Sequence, residues 1–551
     1  MNVSGRLPGR PLSRRTKTSV IAVAMVVTVG VSTAAAWGST SSTPAASGAV
    51  PLTRVVPQPA SVQTKPGVAY TLSPGAAIQA TAGSADAKDA ADFLAGLLRK
   101  PTGYALPVRS VPSSTTPTGV ALVLGGADSV KGAEGYQLDV TSKAVTIRAN
   151  KREGLFNGIE TLRQLLPAKL ESPKPVGGPW RIQGGTIKDQ PRYGFRGAML
   201  DVARNFMPDT GVKRYIDDLA RYKINYLHLH LVDDQGWRIQ IDSWPNLTKI
   251  GGSTGVGGIS KGYYTKAQYK DIVGYAWSRG VTVIPEIEGS DHQQAALASY
   301  AELNCDGKAR ELYTGFLKSD EGLLCVDKPI TYTFMDQVIK EVAEMTPGPY
   351  IGIGGDETQN RSAAELKTYY NKVGPLVQKY GKKVYGWQES AVGLDPATTT
   401  TELWGVGIGD DEVIAAAKGG AKVVMAPSDH AYIDMKYNAE KPEYPVGNTW
   451  AGTTDVPDSY NWDPKTVLKG LPESAIAGVE APLWTETVFG MDQLENLAFP
   501  RLLSIAEIGW SPESSHNWDS FKTRLAAQGP RLREARVNYY IAPEIPWPSG
   551  S

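Results

Sequence analysis

The chain has 551 residues, a length that predicts two domains or one large barrel with an extra domain. Of these residues 41% are hydrophobic and 21% charged, a balance typical of globular proteins. Its 57 Lys and Arg against 56 Asp and Glu give a net charge of +1, which argues against nucleic acid or an acidic polymer as the main ligand. Two cysteines exclude a disulfide-built scaffold, and five histidines argue against a multi-histidine metal site. The 13 Trp and 25 Tyr suit half-polar ligands such as sugars.

Residues 1–36 have the pattern of a secretory signal peptide. Basic residues precede an apolar stretch from Val20 to Val31, and Ala34 with Ala36 fits an A-x-A cleavage site. The apolar stretch is shorter than the roughly 20 residues that span a bilayer, and an uncleaved anchor is the alternative. We therefore predict a secreted, extracellular protein without stable membrane association after cleavage, and a flexible linker over residues 37–50.

Residues 51–190 mix predicted strands and helices. Ala85–Lys100 and Leu155–Leu166 have apolar residues at helical spacing. Ala121–Gly126 is a short apolar strand, and the alternation over 136–147 predicts a hairpin. We expect a small α+β domain, and we assign it no chemistry because it lacks a cluster of carboxylates, His or Trp.

The pattern changes over residues 191–551 to a repeated strand, polar end and helix. Eight segments are predicted strands: Ala198–Val202, Tyr226–Leu231, Thr282–Ile287, Tyr350–Ile353, Lys383–Trp387, Thr401–Trp404, Lys422–Ala426 and Val479–Trp484. Eight such units fit a (β/α)8 TIM barrel, which usually takes about 200 to over 400 residues. The predicted fold class is α/β, with a catalytic (β/α)8 barrel preceded by the small α+β domain.

Residues suited to chemistry fall at or just beyond the carboxyl ends of these strands. They are Asp201, Arg204, Asp233, Asp234, Glu288, His292, Asp356, Glu357, Trp387, Trp404, Asp434 and Glu486. Because these strand ends surround one pocket in a barrel, residues hundreds of positions apart are expected to become neighbours.

The sharpest motif is Gly354-Gly355-Asp356-Glu357, after the fourth predicted strand. Two glycines allow close backbone approach, and at a strand end the pleat relaxes so that both carboxyls can address one ligand. Such a pair can divide the roles of general acid and fixed anion. The alternative is a solvated acidic turn, as we predict for Asp410–Glu412 at the start of a helix. The glycines and the barrel position favour a site.

Two histidines on the second predicted strand allow two interpretations. His228 and His230 point to the same face, which could indicate a metal site. We interpret them as packing in the barrel interior, because no cluster of partner ligands sits nearby in the sequence. Asp233 at the strand end is the functional candidate, and we expect it to orient His292 beside a catalytic acid.

A further group of residues suits a sugar site, because aromatic walls stack on a pyranose while Arg and Glu bind its hydroxyls. The group is Arg204, Trp387, Trp404, Trp450, Trp484 and Glu486. We interpret the other tryptophans considered as structural: Trp237, Trp244, Trp277, Trp462, Trp510 and Trp518. No metal and no organic cofactor is implied.

The two cysteines are predicted to pair. Export would place Cys305 and Cys325 in an oxidising compartment, where a disulfide would close a loop of moderate length. Two buried thiols are the alternative.

Together these residues resemble the family-20 glycoside hydrolases, the β-N-acetylhexosaminidases, and especially secreted actinobacterial members. The likeness rests on Arg204, Asp233, the Gly-Gly-Asp356-Glu357 run and Leu483–Glu486, and it extends from about residue 51 to the carboxyl end. It implies a secreted exo-acting enzyme that hydrolyses terminal N-acetylglucosamine or N-acetylgalactosamine from β-linked N-acetylhexosamine oligosaccharides.

The resemblance also implies substrate-assisted retention, in which the substrate's own 2-acetamido oxygen attacks C1. Glu357 would be the general acid and base, and Asp356 would hold the acetamido N–H. Tyr432 would donate to the acetamido oxygen, while Asp233 and His292 would form a pair behind the acid.

The remaining residues carried over from the family would bind the sugar. Trp387, Trp404 and Trp484 would enclose the acetyl methyl group. Arg204 and Glu486 would bind ring hydroxyls, and Asp434 would lie near O6. Trp450 would stack on the next sugar.

The chain also departs from the family pattern in places. Gly352 stands where the family often has His, Glu288–His292 replaces the usual loop, and Asn205 follows the arginine. These departures leave the rate and the linkage preference open. Two other functions compete: a non-catalytic sugar-binding barrel, and a retaining glycosidase with a protein nucleophile. The natural substrate and the oligomeric state stay open.

Overall fold

The computed structural model describes residues 48–438 and 446–550. The predicted signal peptide and residues 37–47 of the predicted linker lie outside the described residues. Within the two described ranges, no helix combines the length and the apolar character that a membrane span requires.

A seven-stranded mixed sheet occupies the chain before residue 190. Its strands are β1 (Ser61–Thr71), β2 (Ile78–Thr81), β3 (Val108–Val111), β4 (Gly119–Leu124), β5 (Tyr136–Val140), β6 (Ala144–Ala149) and β7 (Arg181–Asp189), in the order β1-β7-β5-β6-β4-β2-β3. β5 and β6 pair antiparallel, which confirms the predicted hairpin. Helices α1 (Ala85–Thr102) and α2 (Arg152–Leu165) confirm the two predicted helices.

Hydrogen bonds join this α+β layer to the chain that follows it. Trp510 packs into the apolar core of the layer, and its Nε1 donates to both carboxylate oxygens of Asp189 at 3.0 Å. On α2, Arg152 Nη2 donates to the Trp277 carbonyl at 2.8 Å. The layer therefore supports one side of the barrel through oriented polar contacts as well as apolar packing.

Eight parallel strands close into a barrel. In chain order the strands are β8 (Phe195–Asp201), β9 (Tyr226–His230), a small hairpin of β10 (Val232–Asp233) and β11 (Gly236–Trp237), then β12 (Thr282–Glu286), β13 (Tyr350–Gly352), β14 (Lys383–Trp387), β15 (Thr399–Leu403), β16 (Lys422–Met425) and β17 (Ile476–Leu483). The closed order is β12-β13-β14-β15-β16-β17-β8-β9. All eight predicted strands form, and their closure confirms the (β/α)8 fold.

The other helices surround the barrel or follow its last strand. They are α3 (Asp209–Arg221), α4 (Lys266–Trp277), α5 (Gln294–Ser299), α6 (Pro329–Met345), α7 (Ala363–Lys379), α8 (Asp410–Lys418), α9 (Val456–Tyr460), α10 (Pro464–Val467), α11 (Met491–Ala498), α12 (Arg501–Trp510), α13 (Trp518–Ala526) and α14 (Gly529–Glu534). The acidic run Asp410–Glu412 forms the first turn of α8, as predicted, where it complements the helix dipole.

Cys305 and Cys325 form the predicted disulfide in the long loop between α5 and α6. The loop that the bond closes contains Lys318, whose Nζ donates to the backbone carbonyl of Glu357. The disulfide therefore restrains a loop that reaches the mouth of the barrel.

Removing this disulfide should destabilise the protein. Replacing both cysteines by serine is expected to lower the free energy of unfolding by about 3 kcal/mol, because the bond restricts a loop of 20 residues in the unfolded chain. Urea unfolding of the oxidised wild type and the double variant measures the difference, and the reduced wild type is the control. An unchanged midpoint would contradict this expectation.

Candidate active site

A pocket opens at the carboxyl ends of the barrel strands. Eight predicted site residues line it: Arg204, Asp356, Glu357, Trp404, Tyr432, Trp450, Trp484 and Glu486. They follow five different strands, so only closure of the barrel brings them together. The other four predicted residues, Asp233, His292, Trp387 and Asp434, are at most 1% exposed and lie behind this lining.

The two glycines before Asp356 give the acidic pair its position. Gly354 and Gly355 have φ values of 60° and 109°, and the next-but-one residue, Glu357, also has a positive φ of 50°. A Cβ at Gly354 would lie 1.9 Å from the Glu288 carboxylate, and one at Gly355 would lie 2.6 Å from a tyrosine hydroxyl. Larger residues would therefore displace this turn and the carboxyl groups that follow it.

Asp356 is a nearly buried carboxylate with a free oxygen. Its side chain lines the pocket, yet the residue is only 8% exposed, and Oδ1 has no hydrogen-bond partner among the described residues. Burial and the neighbouring Glu357 charge raise the pKa of Asp356 to about 6, although the nearby His292 opposes the shift. The free oxygen can accept a hydrogen bond from an N–H group of a ligand.

A histidine and an aspartate stand behind Glu357. His292 Nε2 lies 3.6 Å from Glu357 Oε2, and His292 Nδ1 lies 3.2 Å from Asp233 Oδ1. Burial disfavours the charge on His292, but Asp233 and Asp356 outweigh it and hold the histidine pKa well above its usual value. Asp233 is itself buried, and Arg204, with Nη2 at 2.8 Å, keeps its pKa well below the usual range. The predicted pair is therefore in place as an ion pair beside the candidate acid.

Two residues that the sequence analysis did not assign hold the backbone of Glu357. Glu389 Oε1 accepts the Glu357 N–H at 3.0 Å, and Glu389 Oε2 accepts Trp404 Nε1–H at 3.1 Å. Burial and the Asp356 charge raise the pKa of Glu389 to about 7. Lys318 contacts the Glu357 carbonyl. Glu389 follows β14 by two residues, so the search for polar residues just after the predicted strands, which we call the strand-end rule, could have found it. Lys318 lies in a long loop, where no hydrophobic periodicity indicates its position.

Aromatic rings form the wall opposite these carboxyls. Trp387 and Trp484 stack with centroids 5.6 Å apart, and Trp404 meets Trp450 edge-on at 6.0 Å. Tyr432 contacts both Trp450 and Trp484. Trp387 is 1% exposed and does not line the pocket, so it supports Trp484 from behind.

Charged and amide groups close the remaining side. Arg204 lies 4.6 Å over the Trp484 ring and 4.0 Å from Glu486 Oε1. Asn448, which the sequence analysis missed, donates to Glu486 Oε2 at 3.2 Å and to Asp434 Oδ2 at 3.1 Å. Burial and the Glu486 charge raise the pKa of Asp434 to about 8. Asp434 is fully buried, and Asn448 links it to Glu486 in the pocket lining.

His228 and His230 lie in the barrel interior as predicted, but the expectation that no partner ligands lie near them was wrong. Glu286 Oε2 lies 3.0 Å from His228 Nε2 and 2.5 Å from His230 Nδ1. Glu480 Oε1 lies 2.8 Å from His228 Nδ1, and Asp233 Oδ2 lies 2.9 Å from His230 Nε2. Burial opposes protonation, but these carboxylates raise both histidine pKa values well above the usual value.

The same network reaches the aromatic wall. Trp387 Nε1 donates to Glu286 Oε1 at 2.8 Å, so one buried carboxylate orients the indole behind Trp484 and also both interior histidines. Sequence reasoning missed Glu286 because its partners come from other strands. Trp277 is 55% exposed, and the Arg152 guanidinium lies 4.6 Å over its ring, which agrees with its interpretation as structural.

Comparison with known families gives two matches that together cover most of the chain. Residues 193–513 match the catalytic domain of glycosyl hydrolase family 20, and residues 52–190 match domain 2 of the same family. The two matches correspond to the barrel and to the α+β layer before it.

Individual relatives agree with these matches. A β-N-acetylhexosaminidase from Cellulomonas fimi is 36% identical over 501 residues, covering 91% of this chain and 98% of its own. The solved GH20 β-N-acetylhexosaminidase from Streptomyces coelicolor A3(2) has a TM-score of 0.86 and 48% identity, covering 91% of this chain and all of its own. A mutant Streptomyces plicatus β-hexosaminidase in complex with its product GlcNAc has a TM-score of 0.86 and 49% identity, covering 92% and 99%. With its catalytic and preceding domains both matched, this chain belongs to glycosyl hydrolase family 20.

Proposed function

We propose that this glycoside hydrolase is a secreted exo-acting β-N-acetylhexosaminidase that retains configuration by substrate-assisted catalysis. The observation that carries the proposal is the free Oδ1 of Asp356, a nearly buried acceptor beside the half-exposed carboxyl of Glu357. A 2-acetamido N–H satisfies that acceptor, whereas a plain hexose has no amide at this position. The relatives named for this activity support the same assignment.

In the first step the acetamido oxygen attacks C1 and forms a cyclic oxazolinium ion. The bond from C1 to the leaving oxygen breaks, and Glu357 gives its proton to that oxygen. Asp356 accepts the acetamido N–H and balances the positive charge on the ring, while Tyr432 donates to the acetamido oxygen. The acetyl methyl group lies against Trp404 and Trp484. A nucleophile held in this orientation needs little further activation.

In the second step Glu357 takes a proton from water, and the hydroxyl oxygen attacks C1 and opens the oxazolinium ring. Two displacements at C1 restore the original configuration. The protonated His292, 3.6 Å from the Glu357 carboxyl, stabilises the carboxylate that forms after the first step. Asp233 holds the imidazole in place.

The sugar itself is held by the charged side of the pocket. Arg204 and Glu486 line it and bind ring hydroxyls by charge-assisted hydrogen bonds. We assign Asp434 a positioning role, because it is fully buried and meets Asn448 instead of the pocket. Trp450, which is 57% exposed at the rim, stacks on the next sugar. A closed inner end and an exposed aromatic rim fit removal of one terminal sugar at a time.

Secretion is part of the proposal. The signal-peptide pattern of residues 1–36 and the disulfide Cys305–Cys325 both fit an oxidising compartment. Expression in a secreting host should release the mature chain into the medium with its amino terminus after Ala36. A full-length chain retained in the membrane would contradict this expectation.

The activity should fall in acid. Asp356 must carry its charge to balance the oxazolinium ion, and its pKa of about 6 means that protonation removes this charge as the pH falls. We expect kcat/KM for an aryl β-N-acetylglucosaminide to decline about tenfold per pH unit well below pH 6. This decline is measured by kcat/KM over a range of pH values, with the folding of the enzyme checked at each pH. A flat profile from pH 7 to pH 4 would contradict the role of Asp356.

One paired assay separates the competing functions. Hydrolysis of an aryl β-N-acetylglucosaminide but not of the matched β-glucoside, together with inhibition by a thiazoline analogue of the intermediate, supports the proposal. Cleavage of both substrates without thiazoline inhibition indicates a protein nucleophile. No turnover at high enzyme concentration indicates a binding protein.

A further inference from the structure

A second cavity adjoins the active-site pocket. Trp404 and Trp450 line both cavities, so the two adjoin at this pair of rings. The second cavity, which we call the rim groove, has a volume of about 610 Å³. Its other walls are the loops after β15 and β16 and the segment from Asn461 to Val467.

Two parallel aromatic rings form one wall of the rim groove. His430 and Trp462 stack with centroids 6.0 Å apart and ring planes within 6°. Their polar edges are bonded to the backbone: Trp462 Nε1 donates to the Ser459 carbonyl at 3.1 Å, and His430 Nδ1 meets the Asp458 carbonyl at 3.0 Å. The rings are thus fixed before any ligand binds, which reduces the entropy that binding would cost.

The rest of the groove combines an apolar surface with polar groups. Val406 is 57% exposed and contributes apolar surface to the groove. The exposed carboxylate of Asp429 and the polar side chains of Ser428 and Asn461 stand nearby. Fixed rings flanked by hydroxyl-binding groups are the chemistry that binds a pyranose, with its apolar face and its polar rim.

We propose that the rim groove binds the third and later sugar units of a β-linked N-acetylhexosamine oligosaccharide. The terminal unit occupies the active-site pocket and the second stacks on Trp450, so the chain continues along the same rim into the groove. The inference rests on the proposed function and narrows it, because a substrate of three or more units then uses contacts that a disaccharide lacks.

The test compares substrates of different length on the full mature chain. Wild type, His430→Ala and Trp462→Ala are assayed with an aryl β-N-acetylglucosaminide and with the β-1,4-linked dimer and tetramer of N-acetylglucosamine. Loss of one stacking ring should lower kcat/KM for the tetramer about five- to tenfold. The aryl substrate and the dimer should change less than about twofold, because neither reaches the rings.

Two further variants keep the result interpretable if Trp462→Ala folds poorly. Thr466→Arg places a long side chain in the groove from an exposed position on α10 and should weaken the tetramer selectively. Trp277→Ala is the matched control, because this exposed tryptophan ends α4 at the opposite end of the barrel. It should change all three substrates equally or not at all.

The outcomes are distinct. A selective loss with the tetramer supports the inference. Equal losses on all three substrates, or unchanged kinetics in His430→Ala and Thr466→Arg, overturn it while leaving the proposed function intact. A folded wild type that cannot cleave the aryl N-acetylglucosaminide refutes the proposed function itself, and the groove then has no oligosaccharide to extend.

Discussion

Replacing Glu357 by Gln should reduce kcat for the N-acetylglucosamine dimer by about 10²- to 10⁴-fold, because the amide cannot protonate the leaving sugar. The variant keeps the size and the hydrogen-bonding shape of the side chain, so KM should change little. With a dinitrophenyl leaving group, which departs without protonation, the first step should be nearly as fast as in wild type. Pre-steady-state release of dinitrophenol and steady-state kcat on the dimer measure the two cases.

The control for this variant is Glu412→Gln, which neutralises an exposed acid in the first turn of α8. It should leave both substrates unaffected. If Glu357→Gln lost the same factor with good and poor leaving groups, the residue would not be the acid, and its effect would come from positioning.

Asp356→Asn should lower kcat by about 10²- to 10³-fold, the loss found when one preorganised electrostatic contact to a transition state is removed. The asparagine oxygen still accepts an N–H, so substrate binding should survive while the countercharge to the oxazolinium ion is lost. Affinity for a thiazoline analogue, whose protonated ring resembles that ion, should fall with kcat. Kinetics and inhibition constants measured on the same preparation check both effects.

Asp411→Asn, another neutralisation of an exposed acid in the first turn of α8, is the control. Asp356→Asn that retained wild-type kcat, or that lost activity without losing thiazoline affinity, would contradict a charge-balancing role. The expected decline of kcat/KM below about pH 6 is an independent check on the same carboxylate.

The strand-end rule worked because it combines two patterns that are local in the sequence. Buried strands are short apolar runs, and the residues that follow them gather at one mouth once the barrel closes. Asp356, Glu357 and Arg204 were therefore found without knowing any contact. The same rule could have included Glu389, which follows β14 by two residues.

The network of buried carboxylates and histidines inside the barrel could not be predicted from the sequence by this rule. Glu286, Glu402 and Glu480 sit inside predicted strands, where a charged residue has no local reason to be placed. Each is tolerated because a histidine or a tyrosine on another strand faces it, with His228 3.0 Å from Glu286 and Tyr385 3.0 Å from Glu402. These pairings depend on the parallel register between neighbouring strands.

The sequence by itself determined the strand and helix periodicity, the acidic turn with its two glycines, and the cysteines, because each depends on residues close together in the chain or on their type alone. Only the tertiary structure decided which of the predicted residues line the pocket and which support it. Trp387 and Asp434, predicted to contact the sugar, lie behind the pocket lining, and Asn448 and Lys318 hold residues of that lining. Burial and register are set by contacts between distant segments, and those contacts exist only after the barrel has closed.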